Sequence, residues 1–259
     1  MKRLTLLHKV YTIINTRFTV IMFKEYEEEG VVVIPSVFTT EECDRIKKEA
    51  YGVTDDQIKA AGYKHVPSEQ AYNKKSLIFF PALANSYLNN IRVDDRMRAV
   101  VHMFLGDEVR QINNQIYFRE QADLDTFAWH RDTIFRESHV FTSDLATDYL
   151  QTIIAVDDIA EDNSPVEFIQ GSHKWPTFED PKNLRVFERG EHRGKKYTAK
   201  KGDMMVWSVM IVHGSEENKS TGSRMTYMNG FCRSRSASAY PDYLVDGKIV
   251  ENINPQRIP

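Results

Sequence analysis

Strand-forming runs recur through the second half of this chain. Residues 109–120, 149–156, 166–169, 204–207 and 225–231 are each rich in β-branched, aromatic and other large apolar residues. Turn-rich joints such as Glu161-Asp-Asn-Ser-Pro and Asn218-Lys-Ser-Thr-Gly separate them. Many short strands bury their faces only by stacking two sheets or by closing one sheet on itself. The first hundred residues read differently. A short helix over 23–30 is closed by Gly30. Val31-Val-Val-Ile-Pro is a strand stopped by proline. Thr39 with Glu42 three residues on forms a capping box for a helix. Residues 75–81 read as a strand, and 82–105 as one or two helices ended by Gly106. The expected fold is mainly β, with N-terminal helices packed on a sandwich or barrel.

At 259 residues the chain is long enough for one large domain. We expect a single domain over 23–259, with a long loop or lid near 176–195 and a polar C-terminal tail over 234–259. Residues 1–22 form an amphipathic, acid-free extension, and either Met1 or Met22 serves as start. A transit peptide is a third reading of that segment. No apolar run spans a bilayer, so no integral membrane contact is expected. With 34 basic against 37 acidic residues the formal charge is −3, which does not call for nucleic acid. Cys43 and Cys232 are far apart and form no CxxC, so neither a disulfide framework nor a cysteine zinc site is expected. A reducing, cytoplasmic setting fits best.

Phe127-Ala-Trp-His130-Arg-Asp132 carries the first chemical signal. A histidine and an aspartate two apart on a strand point to one face. Val-His213-Gly-Ser215, on a later strand, supplies a second imidazole. Two imidazoles and one carboxylate form a facial set that leaves three positions open on an octahedral ferrous ion. Those positions suit a bidentate co-substrate and O2. A lone His-x-Asp pair arises often by chance, so the distant partners matter. Arg224 lies eleven residues beyond His213, at the head of an apolar strand. A buried arginine needs an anionic partner, and its planar fork suits a carboxylate.

The sequence resembles the phytanoyl-CoA dioxygenase family of Fe(II)/2-oxoglutarate oxygenases. Four pieces carry the resemblance. They are Trp129-His-Arg-Asp132; Ala155-Val-Asp-Asp158 with Asn163-Ser-Pro; Ile169-Gln-Gly-Ser-His-Lys174; and Gly202-Asp-Met-Met-Val-Trp with His213-Gly-Ser and Arg224. The resemblance spans roughly 23–233. It implies a double-stranded β-helix, a jelly-roll or cupin-like barrel, with an N-terminal helical layer. It implies iron on His130, Asp132 and His213, with O2 as oxidant. It places the distal carboxylate of 2-oxoglutarate on Arg224, assisted by Ser215. A lysine about fifty-five residues before the first histidine would reach the co-substrate, which is Lys75, with Lys74 as rival. Residues 111–119 alternate. Gln111, Asn113, Gln115, Tyr117 and Arg119 share one face, and Ile112, Ile116 and Phe118 the other. The resemblance turns the polar face toward the barrel mouth, which makes Gln115 and Tyr117 co-substrate contacts. Asp157, Asp158 and His173 are expected to be structural, and Trp129 and Trp207 to pack around the site. A carboxylate at 132 favours hydroxylation over halogenation, with succinate and CO2 as co-products.

The substrate is expected to be a small molecule. Arg131, Arg136, Arg185, Arg189 and Arg193 suit an anionic or zwitterionic one, and a solvated charged loop accounts for them equally well. Two rival functions are a cupin-like metal barrel that needs no 2-oxoglutarate, and an inactive relative that acts as a binding protein. Arg224 separates the first from an oxygenase, and the intact metal set separates the second.

Overall fold

The computed structural model describes residues 17–63, 77–123, 126–132, 145–175 and 194–258. Helix α1 (Arg17–Glu29) begins earlier than the sequence-based start at Phe23. It ends where Gly30, at φ +86°, leaves the helix while its N–H bonds the Tyr26 carbonyl. Strand β1 (Val31–Ile34) follows, then α2 (Thr40–Tyr51), α3 (Asp55–Ala60), β2 (Leu77–Phe79), α4 (Ser86–Arg92) and α5 (Asp95–Leu105). The capping box forms at the start of α2, with Thr39 and Glu42 bonded reciprocally. The strand-rich half contains β3 (Val109–Arg119), β4 (Phe127–His130), β5 (Tyr149–Ala155), β6 (Val166–Phe168), β7 (Lys195–Tyr197), β8 (Met204–Ser208), β9 (His213–Ser215) and β10 (Arg224–Arg233). Two further strands, β11 (Asp242–Val245) and β12 (Lys248–Ile249), follow.

The large sheet has the order β1-β8-β5-β10-β3-β11-β12, with β2 also paired to β3. The small sheet has the order β4-β9-β6-β7. All pairings are antiparallel. This is the two-sheet sandwich of a jelly-roll, but the sheets are not closed into a barrel by hydrogen bonds. Side-chain alternation sorts the large sheet into two faces. Val32, Ile34, Leu150, Ile154, Met204, Val206, Met225 and Tyr227 pack with Cys43, Ile46, Leu88, Met97 and Val101 of the helices. Val31, Ile153, Ala155, Met205 and Trp207 face the small sheet and meet Phe168 and Tyr197. Among the described residues, no helix is long and apolar enough to cross a membrane.

Two expectations change. The register of β10 on β3 shifts between Gly230 and Phe231, which pair with Asn113 and Gln111. Ile112 is the extra residue, and this bulge reverses the alternation at that end of β3. Gln111 therefore turns to the helical side, bonding Asn229 and Arg92, while Asn113, Gln115, Tyr117 and Arg119 stay on the face toward the small sheet. Residues 234–259 were expected to drape as a polar tail. Instead β11 extends the large sheet, with Tyr243 and Leu244 fully buried.

Candidate metal centre and cavity

Pairing of β4 with β9 sets His130 opposite His213, with ring centroids 4.3 Å apart. Asp132 lies just past the end of β4. Its Oδ1 is 4.0 Å from His130 Nε2 and 3.7 Å from His213 Nε2. Among the described residues this is the one group of three such side chains whose ligand atoms all lie within 4.8 Å of one another. Each imidazole uses its other nitrogen on the backbone. His130 Nδ1 meets the Ala128 carbonyl at 2.7 Å, and His213 Nδ1 meets that of Ile211 at 3.0 Å. A ring donating from Nδ1 keeps its lone pair on Nε2. Burial, and then the neighbouring His213, pushes His130 down to about 4, so its ring is neutral near pH 7. Trp207 Nε1 donates to Asp132 Oδ2 at 3.1 Å, which leaves Oδ1 toward the histidines. This set of donors, held in place by backbone and indole, fits a divalent transition metal.

The Gly-Ser-His-Lys turn braces the centre from behind. Ser172 Oγ accepts from the N–H of Val212, the residue before His213, at 2.8 Å. The Ser172 carbonyl accepts from Arg131 Nη2, also at 2.8 Å. One turn thus grips both metal-bearing segments. His173 is not near the metal position; it lies against Gly30 and meets the Glu27 carbonyl at 3.2 Å. Asp157 is structural too, taking Lys47 and the Met225 N–H. Asp158 binds Lys200 and the Lys201 N–H.

A cavity of about 400 Å³ opens between the sheets beside the triad. Arg224, Ser215, Gln115 and Tyr117 all line it. Lys74, Lys75, Arg136, Arg185, Arg189 and Arg193, and most of the loop expected over 176–195, lie outside the described residues. Arg131 is described and does not line the cavity. Trp207 lines it, whereas Trp129 sits on the other face of β4 over Gly194. Trp129 therefore stands behind β4 rather than in the cavity wall.

Arg224 is 5% exposed. Its Nη2 donates to the Ser164 carbonyl at 2.9 Å, and its Nε has no protein partner. Burial, and then the neighbouring Arg119, pushes its pKa down to about 10, so it remains a cation near pH 7. Arg119 is its cross-strand partner; the sequence places it on the polar face of its strand but gives it no role. It is 2% exposed, donates to Ser215 Oγ at 2.9 Å, stacks on Phe127 and contacts Asp123. Its alternation with Tyr117 was the available signal, but that signal does not say which residue stands opposite on the neighbouring strand. Ser215 Oγ thus accepts from Arg119 and lines the same cavity as Arg224.

A two-sheet sandwich with this metal set and a buried arginine, Arg224, in the same cavity is the arrangement of a non-haem oxygenase. The chain belongs to the phytanoyl-CoA dioxygenase family, whose profile matches residues 26–226. It is 25% identical over 239 residues to the probable alpha-ketoglutarate-dependent hypophosphite dioxygenase of Stutzerimonas stutzeri, covering 84% of this chain and 79% of that one. Its fold resembles the non-haem monooxygenase ThoJ in a nickel complex, with TM-score 0.67, 16% identity, and 91% and 88% of the two chains covered. It likewise resembles the epimerase SnoN solved with Fe3+, alpha-ketoglutarate and nogalamycin RO, with TM-score 0.64, 16% identity and 84% of each chain covered.

Proposed function

We propose that the protein is an Fe(II)- and 2-oxoglutarate-dependent dioxygenase that hydroxylates a small organic molecule, with release of succinate and CO2. Iron would be held by His130, Asp132 and His213, and bound iron with 2-oxoglutarate supplies the activation of O2. One observation carries the reading. A buried guanidinium with an unspent Nε lies in the same cavity as the triad, beside a second buried guanidinium. Arg119 keeps Asp123 at 3.4 Å, whereas Arg224 contacts no carboxylate among the described residues; a buried cation is costly without an anion, and a carboxylate matches its fork geometry. Ser215 fixes Arg119, and Tyr117 flanks the path from the arginines toward the metal position. Gln115 lies one step further along the same strand face. A metal barrel without 2-oxoglutarate has no use for this buried cation, and an inactive relative has no use for the braced triad.

Anaerobic titration of Fe(II) protein with 2-oxoglutarate tests this. The metal-to-ligand charge-transfer band should appear in wild type, and the half-saturating concentration should rise about a hundredfold in Arg224→Ala, which removes a charge-assisted bidentate contact. No band in wild type rules the reading out.

A further inference from the structure

Arg224 and Arg119 face each other across β10 and β3, yet they are supported differently. Arg224 Nη2 donates to a backbone carbonyl, that of Ser164. Arg119 has both ends of its fork committed to side chains. Its Nη1 lies 3.4 Å from Asp123 Oδ2, on a carboxylate only 4% exposed, and its Nη2 donates to Ser215 Oγ at 2.9 Å. Its guanidinium also lies 4.8 Å from the ring centroid of Phe127, the register partner of Ser215 on β4.

The partners of Arg119 are themselves fixed. The Asp123 carbonyl accepts from the Asn218 N–H at 2.8 Å. Asn218 Nδ2 donates to the carbonyls of Glu120 and Gly222 at 2.8 and 2.9 Å. Asn218 is fully enclosed and lies three residues past Ser215. Ser164 Oγ donates to the Glu216 carbonyl at 2.6 Å, so the backbone that supports Arg224 is tied to the residue next to Ser215. These bonds join the end of β3, the end of β9 and the start of β10 at one end of the cavity.

A hydroxyl has one proton to donate and two lone pairs. Arg119 occupies a lone pair of Ser215, so the Ser215 proton points away from the guanidinium. Among the described residues nothing accepts that proton, and Ser215 lines the cavity. A hydroxyl that accepts from a cation is also a stronger donor, because hydrogen bonds in a chain polarise one another. Asp123 meanwhile offsets the charge of Arg119. What Arg119 contributes to the cavity is therefore direction more than charge.

We propose that Arg119 is a positioning residue for 2-oxoglutarate: it takes no carboxylate oxygen of the co-substrate itself, and instead commits the Ser215 hydroxyl to donate to the carboxylate that Arg224 holds. This rests on the dioxygenase reading above. Arg224 supplies the cation and the fork, and the chain from Asp123 through Arg119 to Ser215 supplies one oriented donor.

The test is a double-mutant cycle on the full chain loaded anaerobically with Fe(II), read by the charge-transfer band. Each protein is titrated with 2-oxoglutarate and with 2-oxopentanoate, which keeps the keto-acid end and carries a methyl in place of the distal carboxylate. No band in wild type with either acid defeats the dioxygenase reading and this role with it. With the band present, Ser215→Ala should raise the half-saturating concentration of 2-oxoglutarate about tenfold, the loss of about one charge-assisted hydrogen bond. Arg119→Met, made together with Asp123→Asn so that no carboxylate is left buried without its cation, should do the same. Neither should alter the titration with 2-oxopentanoate. All three changes together should be no weaker than Ser215→Ala alone, because the arginine acts through the hydroxyl. Arg119→Lys covers an Arg119→Met protein that does not fold: an ammonium lacks the planar fork that serves Asp123 and Ser215 at once, and its loss of 2-oxoglutarate binding should likewise vanish in the Ser215→Ala background. Losses that multiply when combined mean that Arg119 reaches the co-substrate directly. An equal loss for both acids makes it a pin of the fold, and an unaltered 2-oxoglutarate titration denies it any role. Each of these overturns the proposal while leaving the co-substrate reading intact.

Discussion

Arg224 is the residue on which function and stability pull apart. Its folded pKa lies below the ordinary arginine value because burial disfavours the cation, with Arg119 adding repulsion. The free protein therefore carries an electrostatic cost at this position until an anion enters. Arg224→Met keeps the apolar stem and removes that cost. The variant should unfold at the same temperature as wild type or higher, with a gain of up to about 1–3 kcal/mol, and should lose 2-oxoglutarate binding. Calorimetry of the metal-free protein checks the first half, and a fall in its melting temperature by several degrees would show that Arg224 is a structural cation. The sequence disclosed this residue because its spacing from His213 is distinctive. It did not disclose Arg119 as its partner. That role depends on which strand lies beside which, and cross-strand register has no local signature.

At the scale of elements, the Gly-Ser-His-Lys turn reads in the sequence as a motif with a structural His173, and the structure makes it a clamp. Removing the Ser172 hydroxyl leaves the Val212 N–H unpaired in a buried position one residue before His213. Ser172→Ala should weaken Fe(II) or Mn(II) binding about tenfold, as loss of an outer support of a ligand does, and titration of the metal reads this directly. The start of α2 behaves oppositely, being legible in sequence and remote from the cavity. Thr39 and Glu42 form the expected box, and Glu42 also takes both Nη atoms of Arg96. Burial alone would raise the Glu42 carboxyl, but the hydrogen bonds from Arg96 and the Thr39 N–H outweigh it, and the net shift is downward from 4.5. A carboxyl whose folded pKa is depressed stabilises the fold above its unfolded value and loses that contribution as pH falls through the folded one. The wild type should therefore lose stability faster than Glu42→Gln below about pH 4.5. Denaturant midpoints of the two proteins should differ at pH 7 and converge toward pH 3. Parallel curves would mean that the ion pair contributes nothing. Short-range motifs such as this cap are readable because their partners are three residues apart, whereas the role of Ser172 spans forty.

For the whole molecule, the unexpected piece is the C-terminal segment. It reads as a polar tail draped on a finished body because its apolar residues are scattered among polar ones, although ten of its 26 residues are apolar. It is instead part of the large sheet. β11 pairs with the first residues of β3, the strand that carries Asn113, Gln115, Tyr117 and Arg119 into the cavity. Tyr243 is fully buried, its ring 4.5 Å from that of Phe231, and its hydroxyl donates to the Arg92 carbonyl. Arg92, itself fully buried, in turn donates to the carbonyls of Val250 and Glu251 and to Gln111. Three hydrogen bonds therefore join Arg92 of α4 and the segment, one donated by Tyr243 and two donated by Arg92. If the segment were an appendage, Tyr243→Ala would behave as a surface change. As part of the core it should cost about 3–5 kcal/mol, which lowers the melting temperature on the order of 10 °C for a chain of this length. Tyr243→Phe, which loses only the hydroxyl, should cost about 1 kcal/mol. A destabilised β11 would also free the edge of β3 at Val109 and Arg110, so hydrogen exchange there should quicken in Tyr243→Ala before 2-oxoglutarate binding at the far end of the strand is affected. Equal change at both ends would mean that β3 opens as a unit, and no change at either would return the segment to the tail its composition suggests.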